Sequence, residues 1–278
     1  MQAKGVALVT GASRGLGRAT ALELAGRGFE VVASMRNPEA GHALVAEAAA
    51  AGGRLRVAHL DVERPESTEI PAGLRVLVNN AGVECAYLPV EHAPAEDWRR
   101  VFETNLFGLV EVTRRAIPQL REAKAGVVCN VTSASLLFPM PFYAIYRASK
   151  AAVQALGESL RAELRPFGVR VLEVMPGPIA TDMLAGSMRE PEAAAYPPYR
   201  ALAGWAFEGR KASDALVTPA EEAARRIAEA ILDDGAPLRV ACDALGEGMI
   251  QGADGAAYEA RLAGAVEAMT PGRENPHT

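Results

Sequence analysis

The chain has 278 residues, of which 50% are hydrophobic and 23% charged, a composition that excludes an intrinsically disordered protein. Its net charge of −5 and the lack of a basic run argue against a nucleic-acid partner. No run of about 18 apolar residues occurs, so a membrane span is not predicted.

Short apolar segments alternate with longer helix-like segments along the chain. Strands are predicted at 6–10, 29–34, 54–60, 75–79, 126–132, 169–174 and 237–242, and helices at 14–27, 38–51, 96–122, 145–166 and 219–233. Most of the strand segments are continuously apolar, so both of their faces should be buried. The alternation predicts an α/β fold, a Rossmann-like three-layer sandwich with a mostly parallel, doubly wound, seven-stranded sheet and helices on both faces.

The whole chain, residues 1–278, is expected to form one domain of this type. Residues 183–216 mix prolines, glycines and aromatic residues without a clear period, which predicts a long loop acting as a substrate lid. The end of the chain, residues 271–278, is predicted to be a flexible tail. Before the last predicted helix, Thr218 is expected to be the N-cap, with Pro219 in the first turn.

A glycine-rich turn, TGASRGLG, follows the first predicted strand and opens the first predicted helix. Gly11, Gly15 and Gly17 would let backbone N–H groups approach a pyrophosphate at the helix N-terminus. Their spacing differs from the common GxGxxG fingerprint, and a tight turn without a ligand is the alternative interpretation. The strand–turn–helix context favours dinucleotide binding.

The end of the second predicted strand should discriminate between cofactors. In NAD-binding sheets an acidic residue there accepts a hydrogen bond from the ribose 2′-hydroxyl. Here Ser34, Met35 and Arg36 occupy this region, and the first acid is Glu39. Arg36, joined by Arg14 from the glycine turn, could instead bind a 2′-phosphate. Two solvated arginines are the alternative, but the missing acid favours NADP(H) over NAD(H).

Polar residues stand at the ends of the other predicted strands. Asp61 ends the third, the NNAG segment at 79–82 ends the fourth, and Ser133 and Ser135 follow the fifth, at the edge where open α/β sheets bind ligands. Asn105 lies within a helical pattern that asparagine does not favour. Each of these residues alone could be a turn residue, a cap or an incidental helical residue.

The segment FYAIYRASK places Tyr143 seven residues and Tyr146 four residues before Lys150. On a helix both hydroxyl groups would share the face of the lysine. Tyr146 is one turn away, so Lys150 should reach it better and lower its pKa from the usual value of about 10. Tyr143 follows Pro139 and Pro141, which predicts that it precedes or begins the helix and lines a pocket.

Together, TGASRGLG, NNAG, TNLFG, Ser133, YRASK and PGPIAT resemble the short-chain dehydrogenase/reductase superfamily over about residues 5–182. The VVASMRN and PFYAIYRASK segments are most similar to the branch that holds 17-beta-hydroxysteroid and retinol dehydrogenases. The segment between Asp61 and Arg75 is shorter than the usual helix of the family, although the motifs on both sides of it are intact.

The resemblance implies a role for each matching position. Tyr146 would be the acid–base, Lys150 its partner, Ser133 the residue that holds the substrate oxygen, and Asn105 part of a water-linked proton relay. The implied cofactor contacts are Gly11, Ser13, Arg14, Gly15, Leu16, Gly17, Arg36, Asp61, Val62, Asn79, Ala81, Gly82, Tyr146, Lys150, Pro176, Gly177, Ile179 and Thr181.

The substrate side is mostly apolar, which predicts a small hydrophobic ketone, aldehyde or alcohol. The predicted substrate contacts are Ser135, Met140, Tyr143, Met183 and Leu184. Core packing or an oligomer interface is the alternative for several of these apolar side chains. No arginine or lysine lies between Ser133 and Tyr146, although Arg189 or Arg200 could meet an anionic substrate.

The resemblance therefore implies an NADP(H)-dependent oxidoreductase that interconverts a hydrophobic ketone or aldehyde and its alcohol by hydride transfer. A non-catalytic NADP(H)-binding sensor or scaffold on the same fold is the alternative, which the presence of both Tyr146 and Lys150 disfavours. A dehalogenase or dehydratase would be favoured by substitutions in the serine–tyrosine–lysine set, and none occurs.

The resemblance also implies a homodimer or homotetramer assembled through the helices near 96–122 and 145–166. Cys85, Cys129 and Cys242 are far apart and lack metal-ligand spacing, so no metal site is expected. These cysteines and the lack of an apolar leader segment predict reduced thiols in a cytoplasmic protein.

Overall fold

The computed structural model describes residues 1–64 and 70–252. Its strands are β1 Val6–Thr10, β2 Glu30–Met35, β3 Arg54–His59, β4 Leu74–Asn79, β5 Val127–Val131, β6 Arg170–Val174, β7 Ile179–Ala180, β8 Thr218–Pro219 and β9 Arg239–Val240. Seven of them form a parallel sheet in the order β3-β2-β1-β4-β5-β6-β9, and β7 pairs with β8 separately. The predicted Rossmann-like α/β fold is confirmed.

Helices cover both faces of this sheet. The helices of the described residues are α1 Gly15–Gly26, α2 His42–Ala50, α3 Ala95–Phe102, α4 Leu109–Ala123, α5 Ala144–Leu164, α6 Asp182–Ser187, α7 Arg200–Ala212, α8 Ala220–Leu232 and α9 Ala244–Gln251. Of these, α1, α2 and α8 lie on one side of the sheet, and α4 and α5 lie on the other. In β1, Val9 packs in a cluster with Leu24 and Ile227, whereas Leu8 packs with Val112 and Leu160. Because successive strand residues point to opposite faces, a continuously apolar strand fills both cores of the three-layer sandwich.

The predicted helix at 96–122 is interrupted in the structure. A π-helical segment, Glu103–Gly108, separates α3 from α4. A Cβ atom added at Gly108 would lie 2.7 Å from the carbonyl oxygen of Val62, so this segment packs tightly against the turn after β3. Single π-helical turns of this kind occur often at functional sites, and Asn105 lies within this one.

Residues 183–216 are more regular than predicted, because they contain most of α6 and all of α7. The buried side chains of α7 are Ala203, Ala206 and Arg210, at helical spacing. The hydrophobic pattern is hard to detect because two of these residues are alanines and the third is charged. The prediction of an irregular loop was therefore wrong for this part of the chain.

The start of α8 also differs from the prediction. The helix begins at Ala220, its N-cap is Pro219, and no side chain caps it. Thr218 belongs to β8, where it pairs with Ile179, and its backbone N–H donates to the carbonyl oxygen of Pro178 at 2.9 Å. Tertiary pairing has replaced the expected cap.

Three further expectations concern a membrane span, a metal site and the tail of the chain. In residues 1–64 and 70–252, no helix has the length and apolar character needed to cross a membrane. The same residues contain no group of histidine, cysteine and acidic side chains that could hold a metal ion. The predicted tail, residues 271–278, lies outside the described residues.

Candidate active site

The carboxyl ends of the parallel strands form one edge of the sheet, where β1 lies between β2 and β4. The strand order reverses at β1, which is where open α/β sheets form a binding crevice. A cavity of about 830 Å³ lies at this edge. All of the residues predicted to contact the cofactor line it except Asn79.

The glycine turn between β1 and α1 forms one wall of this cavity. Gly11 and Gly15 have left-handed φ angles of +66° and +53°. A Cβ atom on Gly17 would lie 2.3 Å from Nδ2 of Asn80 and 2.5 Å from the carbonyl oxygen of Gly11. The turn therefore needs glycine at all three positions, and it presents a helix N-terminus that suits a pyrophosphate.

Asn80, which belongs to the NNAG segment but was not among the predicted cofactor contacts, holds this turn to β4. Its Nδ2 donates to the carbonyl oxygens of Thr10 and Gly11, at 3.0 and 3.3 Å. Asn79 lies behind it, and its Nδ2 donates to Thr113 Oγ1 at 2.8 Å and to Asn130 Oδ1 at 2.9 Å. The side chain of Asn79 thus ties β4 to α4 and β5, and it is Asn80 that lines the cavity.

Arginines rather than an acid lie near the end of β2. The Ser34 hydroxyl is buried and donates to the carbonyl oxygen of Val9 at 3.0 Å. The next residues, Met35 and Arg36, line the cavity. Arg14 lines it from the glycine turn, and its guanidinium group lies 3.6 Å from Asp182 in a pair that is exposed on both sides. Exposed ion pairs are weak, so both arginines are available to a ligand.

The turn after β3 supplies the next part of the wall. The Asp61 side chain accepts a hydrogen bond from the backbone N–H of Glu63 at 3.2 Å, as an aspartate in a turn commonly does. Asp61 and the buried Val62 both line the cavity. Asp61 and Val62 therefore line the cavity although the segment between Asp61 and Arg75 is shorter than is usual in the family.

Ser133, Tyr146 and Lys150 meet in the same cavity. Ser133 follows β5, and its Oγ accepts a hydrogen bond from the backbone N–H of Ser135 at 3.2 Å, which leaves the hydroxyl hydrogen to donate. Tyr146 and Lys150 are buried on the first two turns of α5. The Lys150 ammonium donates to the carbonyl oxygen of Val131 at 2.8 Å and lies 5.8 Å from the Tyr146 ring centroid.

Burial is the largest influence on the pKa values of this group. It raises the pKa of Tyr146, and the hydrogen bond with Ser133 opposes that rise. Burial also lowers the pKa of Lys150 to about 8, opposed by the charge of Glu84. The expected lowering of the tyrosine pKa is therefore wrong for this state of the protein, since loss of hydration outweighs a lysine that binds a backbone carbonyl.

Asn105 does not line the cavity, although it lies directly behind it. Its Oδ1 accepts from the backbone N–H of Val83 at 2.8 Å, and its Nδ2 donates to the Val83 carbonyl at 3.0 Å and to Ser149 Oγ at 3.0 Å. The side chain is fully buried. It thus ties α5 to the chain that follows Gly82, close to Tyr146 and Lys150.

Comparison with known proteins identifies the family. A family model described as short chain dehydrogenase matches residues 5–192. The chain belongs to the short-chain dehydrogenase family. Members bind a nicotinamide cofactor, and this chain is an oxidoreductase of CH–OH groups. A curated relative, cyclopentanol dehydrogenase of Comamonas testosteroni, is 37% identical over 227 residues, which cover 77% of this chain and 87% of the relative.

Two solved structures of short-chain dehydrogenases share the fold of this chain but contain different cofactors. A short chain dehydrogenase from Burkholderia cenocepacia in complex with NADP is 31% identical, with a TM-score of 0.70 over 94% of this chain and 99% of that one. One from Burkholderia phymatum in complex with NAD is 25% identical, with a TM-score of 0.73 over 91% and 94%. The cofactor preference of this dehydrogenase therefore has to be argued from its own residues.

A buried carboxylate, which the sequence did not single out, holds the PGPIAT segment of this dehydrogenase in place. Asp243 Oδ2 accepts from the backbone N–H of Gly177 at 2.7 Å, and Oδ1 accepts from that of Gly246 at 2.8 Å. Asp243 is also the N-cap of α9. A Cβ atom on Gly177 would lie 2.5 Å from the Asp243 carboxylate, so this contact requires glycine.

The substrate end of the cavity is lined by all five residues predicted to contact the substrate: Ser135, Met140, Tyr143, Met183 and Leu184. Tyr143 lies just before α5, as its preceding prolines predict. Its ring meets that of Tyr146 edge-on, with centroids 6.1 Å apart. Tyr143 thus forms an aromatic wall of the cavity beside Tyr146.

Sequence reasoning missed a cluster of polar residues behind this wall. The Tyr87 ring stacks on Tyr143 with centroids 4.6 Å apart. The Tyr143 hydroxyl donates to the Tyr87 hydroxyl at 3.2 Å, and the latter donates to Glu84 Oε2 at 2.7 Å. Arg210 of α7 completes the cluster, with its guanidinium carbon 4.1 Å from the Tyr87 ring centroid. These residues lie far apart in sequence, so no local pattern indicates the cluster.

Proposed function

We propose that this dehydrogenase uses NADP(H) rather than NAD(H) to interconvert a ketone or aldehyde on a largely apolar substrate and the corresponding alcohol. The observation that carries the proposal is the meeting of Ser133, Tyr146 and Lys150 in the cavity that the glycine turn lines. Oxidation of NADPH in the presence of a panel of steroids, retinoids, aryl ketones and aliphatic ketones tests it. No turnover of any of them would count against this substrate class.

The tyrosine supplies the proton in this proposal. When bound, the nicotinamide supplies the hydride. Because burial raises its pKa, the Tyr146 phenol is protonated at neutral pH, the form that can donate to a carbonyl oxygen during reduction. Ser133 accepts from the backbone N–H of Ser135, so its own hydroxyl hydrogen can be donated to the same oxygen as negative charge develops. Lys150 is held in place by the Val131 carbonyl. Its positive charge near Tyr146 stabilises the phenolate that forms when the tyrosine gives up its proton.

The remaining predicted residues support these groups. Asn105 acts as a positioning residue, because its hydrogen bonds to Val83 and Ser149 fix the segment after Gly82 against α5. A Cβ atom on Gly82 would lie 3.5 Å from Nζ of Lys150, so this segment directly adjoins the lysine. Residues 183–216 act as the substrate lid, since both α6 and α7 contribute to the cavity wall.

The arginines support the preference for NADP(H). Arg36 directly follows β2 and Arg14 lies in the glycine turn, and both line the cavity with exposed side chains. Arg36→Ala is expected to raise the KM for NADPH by about tenfold to a hundredfold, because a charge-assisted hydrogen bond to the 2′-phosphate is lost, with little change for NADH. Steady-state kinetics with both cofactors measure the effect.

A matched variant controls for the loss of a surface charge. Arg114→Ala removes an exposed arginine that pairs with Glu111 on α4, and it should change neither KM. Equal effects of Arg36→Ala on the two cofactors would contradict the role of this residue in cofactor selection.

The protein is proposed to assemble as a homodimer or homotetramer through the faces of α3–α4 and α5. Phe107, in the π-helical segment next to α4, is 54% exposed, which suits an interface. Sedimentation velocity should give a mass of two or four chains, and a monomer at micromolar concentration would contradict this.

The three cysteines are free, which supports the proposed cytoplasmic location.

A further inference from the structure

A buried guanidinium group lies at the substrate end of the cavity. Arg210 of α7 is only 8% exposed, and its side chain contributes to the cavity wall. Its Nη1 donates to the carbonyl oxygen of Ser187 at 2.9 Å. Within residues 1–64 and 70–252, the buried Nε and Nη2 have no hydrogen-bond acceptor. These two nitrogens form one edge of the guanidinium, and such an edge can donate two parallel hydrogen bonds to a carboxylate. The edge is closed to solvent here, so a ligand must displace a neighbouring side chain to reach it.

The neighbouring aromatic rings contact only the flat faces of the Arg210 guanidinium. The guanidinium carbon lies 4.1 Å from the Tyr87 ring centroid and 4.8 Å from that of Tyr143. Such contacts are favourable for a cation, but they leave its N–H groups without acceptors. A buried charge without a hydrogen-bonded partner is costly. The arrangement therefore favours a ligand that brings an acceptor with a negative charge.

The carboxylates near Arg210 make their hydrogen bonds and ion pairs with other groups, and Glu84 interacts with Arg210 only through its charge. Glu84 accepts a hydrogen bond from the Tyr87 hydroxyl, and Glu192 pairs with Arg189 at 3.0 Å. Among the side chains that the structure describes, no carboxylate forms an ion pair with Arg210. Burial also raises the pKa of Glu84, which weakens its negative charge near the guanidinium.

The position of Arg210 relative to the catalytic tyrosine defines what kind of ligand fits. The Tyr143 ring contacts both residues, with its centroid 6.1 Å from that of Tyr146 and 4.8 Å from the guanidinium carbon. Ser133, Tyr146 and Arg210 all line the same cavity. One ligand can therefore place a carbonyl group at Tyr146 and an acidic group near Arg210, with the aromatic ring of Tyr143 beside the carbons between them.

We propose that Arg210 binds a carboxylate on the substrate, so that the enzyme reduces an oxo acid with an apolar middle to the corresponding hydroxy acid. The inference rests on the proposed function and specifies the substrate class of the same site. The carboxylate takes no part in the chemistry: a hydride and a proton add across the C=O bond, NADPH is oxidised, and the acid group positions the chain. Arg210 is thus a specificity-determining residue that the apolar pattern of the substrate side did not predict.

Matched acids and esters test this preference. A homologous series of straight-chain oxo acids, from acetoacetate and levulinate upward, is compared with the methyl esters of the same acids. We expect wild-type kcat/KM to favour the best acid over its ester by about tenfold to a hundredfold, the value of a hydrogen bond to a charged group. Arg210→Met should remove most of this ratio, and Arg210→Lys should keep part of it.

Arg189→Met is the matched control for Arg210→Met. Arg189 was a possible contact of an anionic substrate on sequence grounds, but it is not among the residues that line the cavity. Its guanidinium also lies over the Tyr87 ring, at 4.8 Å, but it pairs with Glu192 and is half-exposed. The ratio of acid to ester should stay near the wild-type value in this variant. Because both substrates undergo the same chemistry, a general structural defect lowers both rates and leaves their ratio unchanged.

Binding measurements on the wild-type protein test the inference even if no substrate is turned over or the Arg210 variants do not fold. Calorimetric titration of the wild-type NADP⁺ complex should show hexanoate binding at least about tenfold tighter than hexanamide, its uncharged counterpart. Esters favoured over acids, or equal binding of hexanoate and hexanamide, would overturn the role of Arg210 and leave the oxidoreductase function intact. Failure of NADPH oxidation with every carbonyl compound, together with tight hexanoate binding, would count against the proposed function alone.

Discussion

Tyr146→Phe is expected to lower kcat about 10²- to 10⁴-fold, the range that a positioned acid–base contributes, while NADPH still binds. The change removes the hydroxyl group that interacts with Ser133 and keeps the ring that packs edge-on against Tyr143. The loss should therefore fall on the chemical step. Steady-state kinetics and a fluorescence titration with NADPH separate the two effects.

Tyr143→Phe makes the same chemical change on the neighbouring ring. It removes the hydrogen bond to the Tyr87 hydroxyl and leaves the Tyr146 hydroxyl in place. We expect a loss within about tenfold, since a single neutral hydrogen bond contributes about 1 kcal/mol. If Tyr143→Phe proved as damaging as Tyr146→Phe, or if Tyr146→Phe kept substantial activity, Tyr146 would not be the acid–base.

Gly17→Ala is expected to weaken NADPH binding by about tenfold to a hundredfold, the value of a lost hydrogen bond to a charged phosphate. The added Cβ atom would meet Asn80 Nδ2 at 2.3 Å and the Gly11 carbonyl oxygen at 2.5 Å. Relief of these clashes must move Asn80 away from its hydrogen bonds to Thr10 and Gly11, or shift the turn itself. Either movement displaces the backbone N–H groups proposed to bind the pyrophosphate.

Gly26→Ala is a matched control within the same helix. Nothing lies within 4 Å of a Cβ atom at Gly26, which is exposed at the end of α1. This variant should bind NADPH like the wild type and unfold at the same or a slightly higher temperature, since alanine is the better helix former. If Gly17→Ala bound NADPH as tightly as Gly26→Ala, the glycine turn would not be the phosphate site.

The parts of the molecule that depend on local pattern were predictable. Continuous apolar strands indicated a parallel sheet buried on both faces, and residues such as Leu8 and Val9 fill its two cores. The spacing of Tyr146 and Lys150 on one helix indicated that these two groups would be close, and the resemblance to the short-chain dehydrogenase/reductase superfamily implied that Ser133 would join them. Strand order places Ser133 and the glycine turn at the same edge of the sheet, so their common cavity follows from topology.

The parts that depend on tertiary contact were not predictable from local pattern. Thr218 has the sequence context of an N-cap, yet it pairs with Ile179 in a short parallel bridge. Asn79 and Asn80 are adjacent and identical, and only the pleat of β4 and the turn that follows it decide which one faces the cavity. The π-helical segment around Asn105 ends at Gly108, which packs against the turn after β3, a contact between residues distant in sequence.

Arg210 shows most clearly how a polar residue can be misread. The sequence-based argument for a hydrophobic substrate considered the segment between Ser133 and Tyr146, which contains no cation. The cation comes instead from α7, a helix whose buried face of Ala203, Ala206 and Arg210 lacks a clear hydrophobic period. A charged residue at a buried helical position is the signal that would have pointed to it.

Isotope transfer tests most directly the central claim that this protein moves a hydride from NADPH to a carbonyl carbon. The best carbonyl substrate is incubated with wild-type protein and NADPH deuterated at both transferable positions of the nicotinamide, and the product is analysed by mass spectrometry and NMR. We predict an alcohol that carries one deuterium on its carbinol carbon, formed in equal amount to the NADP⁺ produced. An alcohol without deuterium at that carbon, or NADPH oxidation without alcohol, would contradict the claim.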